Sequence, residues 1–172
     1  MAKFRDDVRN HVVTWAEVHR DTKTLARRLV GQGPWKGIVA LTRGGLVPAA
    51  ILARELDLRI VDTLCISSYD EQVQESIRVL KTPADAGDGE GWLLVDDLVD
   101  TGTTAREARR ILPKAHFATI YAKPAGADVV DTAVSAVEQD VWLFFPWDTE
   151  PRYVKPLADT QDRPLVDSQD HK

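Results

Sequence analysis

Three apolar runs of strand length, Gly37 to Leu41, Trp92 to Val95 and His116 to Ala122, each lead without a break into a short polar segment. A run with no polar face of its own belongs to a strand covered on both sides. That condition is met in a mostly parallel sheet with helices on its two faces. Helical stretches separate the runs as such a sheet requires. Thr14 and Glu17 form a capping box, and Trp15, Val18, Leu25 and Leu29 then recur at helical spacing until Gly31 offers a stop. A second helical stretch runs to Leu56, and a third from Thr104 to Leu112 ends before Pro113. Arg59 to Ser67 and Val141 to Phe145 read as further strands. Tyr69 to Gly91 is polar and broken by Pro83, Gly87, Gly89 and Gly91, so a long loop is expected over about residues 70–90. Ligands on parallel sheets bind beyond the carboxyl ends of the strands. The segments Thr42 to Gly45, Asp96 to Thr104 and the residues after Ala122 should therefore converge on one edge.

The 172 residues make one domain, 1–172, with a tail at 149–172 rich in Pro, Asp and Gln that reads as loosely ordered. Twenty-two basic against 27 acidic side chains leave a net charge of −5, which argues against a surface built to hold nucleic acid. The lone Cys65 excludes an internal disulfide and a cysteine zinc cluster, and its apolar surroundings suit buried filler. His11, His19, His116 and His171 show no metal-ligand spacing. The polar start Met1-Ala2-Lys3-Phe4-Arg5 lacks the apolar core of a signal peptide, and no stretch reaches the ~18 residues of a membrane span. A cytoplasmic protein is the expectation.

The chemistry concentrates in Leu93-Leu94-Val95-Asp96-Asp97-Leu98-Val99-Asp100-Thr101-Gly102-Thr103-Thr104. Paired carboxylates at a strand end can accept from a vicinal diol or hold a hydrated Mg2+, which prefers oxygen ligands and keeps several waters. The turn after them serves the opposite charge. Gly102 permits close backbone approach, and three threonine hydroxyls join the free N–H groups at a helix start to make a phosphate site. Together these parts suit a ribose phosphate.

The segment resembles the phosphoribosyl pyrophosphate (PRPP) motif of type I phosphoribosyltransferases: an apolar strand, two acids, two apolar residues, then Asp-Thr-Gly-x-Thr. Further blocks narrow the resemblance to the bacterial xanthine-guanine members. They are Trp35-Lys36-Gly37-Ile38, Arg43-Gly44-Gly45-Leu46-Val47-Pro48, Leu52-Ala53-Arg54-Glu55-Leu56, Val61-Asp62-Thr63, Cys65-Ile66-Ser67-Ser68-Tyr69, Ala122-Lys123-Pro124-Ala125-Gly126 and Pro146-Trp147-Asp148. The resemblance spans residues 12–148. It implies the type I phosphoribosyltransferase fold, a mostly parallel sheet flanked by helices with a small hood region.

It also implies transfer of the phosphoribosyl group from PRPP to N9 of guanine, xanthine and, less well, hypoxanthine. Asp96 and Asp97 would bind the ribose hydroxyls, and the loop Asp96, Asp97, Leu98, Val99, Asp100, Thr101, Gly102, Thr103 and Thr104 would bind PRPP as a whole. Arg43 and Gly44, through a peptide bond that can be cis, would receive the pyrophosphate. Asp100 would handle the proton at purine N7. Lys123 would donate to the 6-oxo group, Trp142 would stack on the base and the Leu143 backbone would meet the exocyclic edge. Asp97 and Asp148 would hold Mg2+. Homo-oligomers, tetramer or dimer, are implied, with peripheral association with the inner membrane in some members. Two departures stand out. Gln74-Glu75-Ser76 replace the family's loop arginine, leaving Arg78 or Lys81 to substitute, and Phe144-Phe145 follow Trp142-Leu143 where the family has an acid.

Taken singly, these residues have plainer readings. Asp96-Asp97 alone would be helix-capping or solvated acids, Arg43-Gly44-Gly45 an ordinary turn, Lys123 a surface cation and Trp142 core. Asp100-Thr101-Gly102 also spells the aspartic-protease signature, but one copy opening a helix is a poor half of a dyad. A non-catalytic sensor of PRPP or nucleotide on the same fold is the second reading.

Overall fold

The computed structural model describes residues 9–71 and 74–148. Its main sheet has six strands. They are β2 (Gly37–Thr42), β3 (Val61–Glu71), β4 (Gln74–Lys81), β5 (Trp92–Val99), β6 (His116–Ala122) and β7 (Thr132–Ala136), in the spatial order β4-β3-β2-β5-β6-β7. Every neighbouring pair is parallel except β3 with β4. Helices α1 (Trp15–Leu29) and α2 (Leu46–Glu55) cover one face and α3 (Thr103–Ile111) the other. A separate two-stranded parallel sheet pairs β1 (Arg9–Val12) with β8 (Val141–Phe144). This is the mostly parallel, helix-flanked architecture expected, with the small sheet in the place of the hood.

Strands β2, β5 and β6 are apolar on both faces because both faces are covered. Val39, Leu41, Leu94 and Phe117 face α3 in one core, while Ile38, Ala40, Leu93 and Ala118 face α1 and α2 in the other. The capping box at the start of α1 forms as its sequence requires: the Glu17 N–H donates to Thr14 Oγ1, and Thr14 N–H to the Glu17 carboxylate. Val18, Leu25 and Leu29 are fully buried. Trp15 is not: it stays 57% exposed and meets the edge of Trp147. The same helix is tied to β6 by Tyr121, whose hydroxyl donates to Asp21 across 2.9 Å. Burial, with that carboxylate second, holds the Tyr121 phenol well above its usual range.

Three expectations need correcting. Residues 69–71 and 74–81 are not loop. They complete β3 and build β4, because Ile77 and Val79 alternate onto the α3-side core, and the true connection is residues 82–91. Strand β5 does not end at Val95. It loses β2 there but stays paired to β6 through Asp96, Leu98 and Val99, which draws both acids into the strand. Strands β1 and β7 were not foreseen. Cys65 is half-buried rather than buried. The tail at 149–172 lies outside the described residues. Among the described residues no helix is long and apolar enough to cross a membrane.

Candidate active site

Since β2, β5 and β6 run parallel, their carboxyl ends open on one edge, and the three polar segments meet there. The turn after β2 packs directly on β5. A Cβ on Gly44 would fall well under 3.0 Å from the Asp97 carboxylate, and one on Gly45 equally close to the Val95 carbonyl oxygen. At Gly45 the obstacle is backbone, so glycine is required there; at Gly44 it is the Asp97 side chain, which would have to move. The expected cis bond between Arg43 and Gly44 is not found; the cis peptide lies one residue earlier, between Thr42 and Arg43. Arg43 itself is exposed.

Asp96 and Asp97 bend back on their own backbone. Asp96 Oδ1 accepts from the Asp97 N–H at 2.9 Å, and Asp97 Oδ1 from the Leu98 N–H at 2.6 Å. Burial, with the charge of Asp97 second, holds Asp96 well above the usual carboxylate range. Asp97 is pushed up to about 6, chiefly by burial, with the nearby Asp148 charge adding to the rise. Asp148 is exposed and fixed in the turn after β8, where it accepts from the Phe145 N–H at 2.9 Å. These carboxylates sit closer to one another than their charges favour, so a cation or a hydroxyl-rich ligand would relieve them. Among the described residues no group of three or more His, Cys, Asp or Glu side chains could hold a metal. What the chain offers is a sparse set of acidic oxygens, which fits Mg2+, an ion that keeps its waters and takes phosphate oxygens in place of protein ligands.

Beyond Asp100 the chain turns through Gly102, at φ +82°, into α3. Gly102 offers no capping side chain, and the Thr103 N–H makes only a long 3.5 Å contact with Thr101 Oγ1, so the N–H groups of the first turn of α3 are available to an anion. Thr101 and Thr103 flank that opening with their hydroxyls 3.1 Å apart. The loop is braced from the β6 side. A Cβ on Gly126 would collide with the Asp100 and Gly102 backbone, one on Gly102 would collide with the Arg106 guanidinium and press on Gly126, and Arg106 donates to the Thr101 carbonyl at 2.9 Å, the Ala125 carbonyl at 3.2 Å and the Asp128 carboxylate at 3.0 Å. Neither Arg106 nor Gly126 carries a sequence signal for this task.

Lys123 follows β6 and is only 3% exposed. Its Nζ lies 3.0 Å from Asp100 Oδ2. Gln139, unremarked in the sequence, donates to the other oxygen, Oδ1, at 2.7 Å. Three residues on, Trp142 is the second residue of β8 and 48% exposed, in contact with Phe144, while Leu143 is buried against Val13, Val18, Ile120 and Tyr121. The apolar side chain of Leu143 thus belongs to the core, leaving only its backbone for a ligand. Of the two cations left to replace the loop arginine, Lys81 is engaged by Asp62 at 2.5 Å and by the Thr63 carbonyl at 3.0 Å, whereas Arg78 is exposed. An apolar hollow of about 310 Å³, lined by Ala122, Pro124, Ala127, Val130 and Val134 among others, has no titratable group in its wall.

Residues 11–153 match the phosphoribosyl transferase domain family. The chain is 60% identical over 147 residues to the xanthine-guanine phosphoribosyltransferase of Nitratidesulfovibrio vulgaris, covering 85% of this chain and 89% of the relative. It is 54% identical over 155 residues to the enzyme of the same name from Desulfotalea psychrophila, covering 90% and 96%. The crystal structure of a purine phosphoribosyltransferase from Pyrococcus horikoshii superposes with a TM-score of 0.72 at 27% identity, over 85% of this chain and 99% of that one.

Proposed function

Because this chain belongs to the phosphoribosyl transferase domain family, we propose that it is a purine-salvage enzyme, transferring the 5-phosphoribosyl group of PRPP to N9 of guanine, xanthine and, less well, hypoxanthine. The products are the purine nucleotide and pyrophosphate. The observation that carries this reading is the buried Lys123 ammonium held against Asp100, directly beside the uncapped start of α3.

In the proposed assignment the free N–H groups of α3 and the hydroxyls of Thr101, Thr103 and Thr104 bind the 5′-phosphate. Asp96 and Asp97 accept from the ribose hydroxyls, and Arg43 with the Gly44 backbone binds pyrophosphate. Lys123, a donor with no acceptor capacity, takes the 6-oxo group of the purine. A 6-amino group would face it donor to donor, the kind of mismatch that excludes adenine. Asp100, beside Lys123, accepts the N7 proton as the base becomes nucleotide. Trp142, with its exposed ring, would stack on the base, and the Leu143 backbone would read the exocyclic edge. Asp97 and Asp148 would hold Mg2+, whose chemistry there is to neutralise charge on the departing pyrophosphate. A cytoplasmic homo-oligomer, tetramer or dimer, follows from the resemblance. No observation supports association with a membrane or favours the sensor reading.

The test offers PRPP and Mg2+ with guanine, xanthine, hypoxanthine or adenine and follows pyrophosphate release. Turnover with the 6-oxopurines and not adenine is expected; no turnover with any 6-oxopurine would overturn the proposal.

A further inference from the structure

Gln139 stands in the turn between β7 and β8, and its carboxamide is held at both ends. Oε1 accepts from the Ala125 N–H at 3.0 Å. With that oxygen pinned, the amide NH2 is directed at Asp100 Oδ1, 2.7 Å away. The Lys123 ammonium takes Oδ2 at 3.0 Å, so the carboxylate is gripped by one donor on each oxygen. The two donors differ in what else they must do. Lys123 is also the donor assigned to the purine 6-oxo group, and its bond to Asp100 is shared once a base arrives. Gln139 has no such duty. A carboxylate held by one oxygen swings about its Cβ–Cγ bond, whereas one held at both presents its remaining lone pairs in a fixed plane.

We propose that Gln139 is the positioning residue for Asp100, fixing the carboxylate plane toward the purine while Lys123 is engaged by the base. The proposal rests on the transferase reading. It also makes Gln139 more than a staple between the β6–β7 connection and the β7–β8 turn, and one substitution separates the two roles. Gln139→Glu keeps an oxygen to accept from Ala125 but loses the donor to Asp100 and sets a like charge against it. Gln139→Ala loses both.

Both variants are assayed for steady-state turnover with guanine and PRPP, alongside thermal unfolding. The expected result is a fall in kcat of about tenfold or more for each, the range of one hydrogen bond to a charged group. KM for PRPP should stay within about twofold, and unfolding midpoints within about 2 °C, since Gln139 is exposed. Wild-type kcat in Gln139→Glu would overturn the proposal, because only the staple would then count. A parallel rise in KM for PRPP would overturn it too, as the effect would then be on the phosphate loop. A second measurement does not depend on turnover: the double-mutant cycle of Gln139→Ala with Asp100→Ala in urea denaturation. Coupling of about fivefold in the unfolding constant supports the contact, and additivity overturns it. Failure of the wild-type enzyme on every 6-oxopurine would instead sink the transferase reading, leaving the cycle to decide the contact.

Discussion

The two members of the Lys123–Asp100 pair are buried very unequally, 4% against 40% side-chain exposure, so removing one is not equivalent to removing the other. Asp100→Ala strands an ammonium with almost no access to water. Breaking a buried pair in this way costs about 3–5 kcal/mol. The open Asp100 side lets some water reach Nζ once the carboxylate is gone, so the lower end, about 3 kcal/mol, applies. Lys123→Met removes the charge with little change of shape and leaves Asp100 with the Gln139 donor and solvent, a loss of about 1 kcal/mol or less. The difference is about 2 kcal/mol, or roughly 4–8 °C in unfolding midpoint for a chain of this size. Thermal unfolding followed by circular dichroism reads it directly. The double variant Asp100→Ala with Lys123→Met should unfold near the Lys123→Met single, since the stranded charge is gone. Lys123→Met as destabilised as Asp100→Ala would refute the reasoning, because the cost would then lie in packing. Asp100→Asn keeps an oxygen for Lys123 and is the variant in which lost turnover reports chemistry and not folding.

Two further outcomes follow from the same edge of the sheet. Gly45→Ala must push a Cβ into the β5 backbone and should cost about 3 kcal/mol in urea denaturation, whereas Gly44→Ala meets only the Asp97 side chain and should spare stability while raising KM for PRPP; equal destabilisation by both would contradict this. Asp97 has a folded pKa of about 6, above its unfolded value, so its contribution to stability is complete below about pH 4 and lost as pH rises through 6. The unliganded protein should therefore lose about 1 kcal/mol from this group between pH 5 and 7.5, and Asp97→Asn should flatten that part of the curve; an unchanged slope would show that Asp97 is not the group responsible.

How much of this could be read from the chain depended on whether the signal was local. Strands β2, β5 and β6 announce themselves because burial on both faces makes Gly37 to Leu41, Trp92 to Val95 and most of His116 to Ala122 continuously apolar, and α1 does so because its capping box closes within four residues. The phosphate loop is legible for the same reason: acids, glycine and hydroxyls act through backbone only a few positions away. Strands β1 and β7 have no comparable signature. All four residues of β1 are exposed, and its pairing with β8 joins Arg9 to Val141 across the whole chain. The hairpin of β3 and β4 was hidden by its polarity, although Ile77 and Val79 carry the two-residue period that a half-buried strand requires.

The site divides in the same way, and the division bears on how catalytic power is built. The acids, glycine and threonines of Asp96 to Thr104 stand out by local pattern, and Arg43, Lys123, Trp142, Leu143 and Asp148 are singled out only by the family resemblance, whereas the residues that brace them are marked by neither. Gln139 reaches Asp100 across 39 positions, and Arg106 ties the phosphate loop to Ala125 and Asp128 across 19 and 22. An exposed glutamine or arginine is ordinary surface composition, so nothing in its neighbourhood marks it until the fold brings the partner. Yet these are the contacts that join the phosphate loop after β5 to the purine-side segment after β6. Gly102 against Gly126 completes the joint, with no room for a side chain on either. Because Asp100 belongs to the first segment and Lys123 to the second, any movement between them would break their 3.0 Å contact and, in the proposed assignment, separate the proton acceptor from the donor that orients the base. The rigidity at that seam is supplied by long-range contacts, which is why the residues proposed for the chemistry are marked in the sequence and the geometry that would aim them is not.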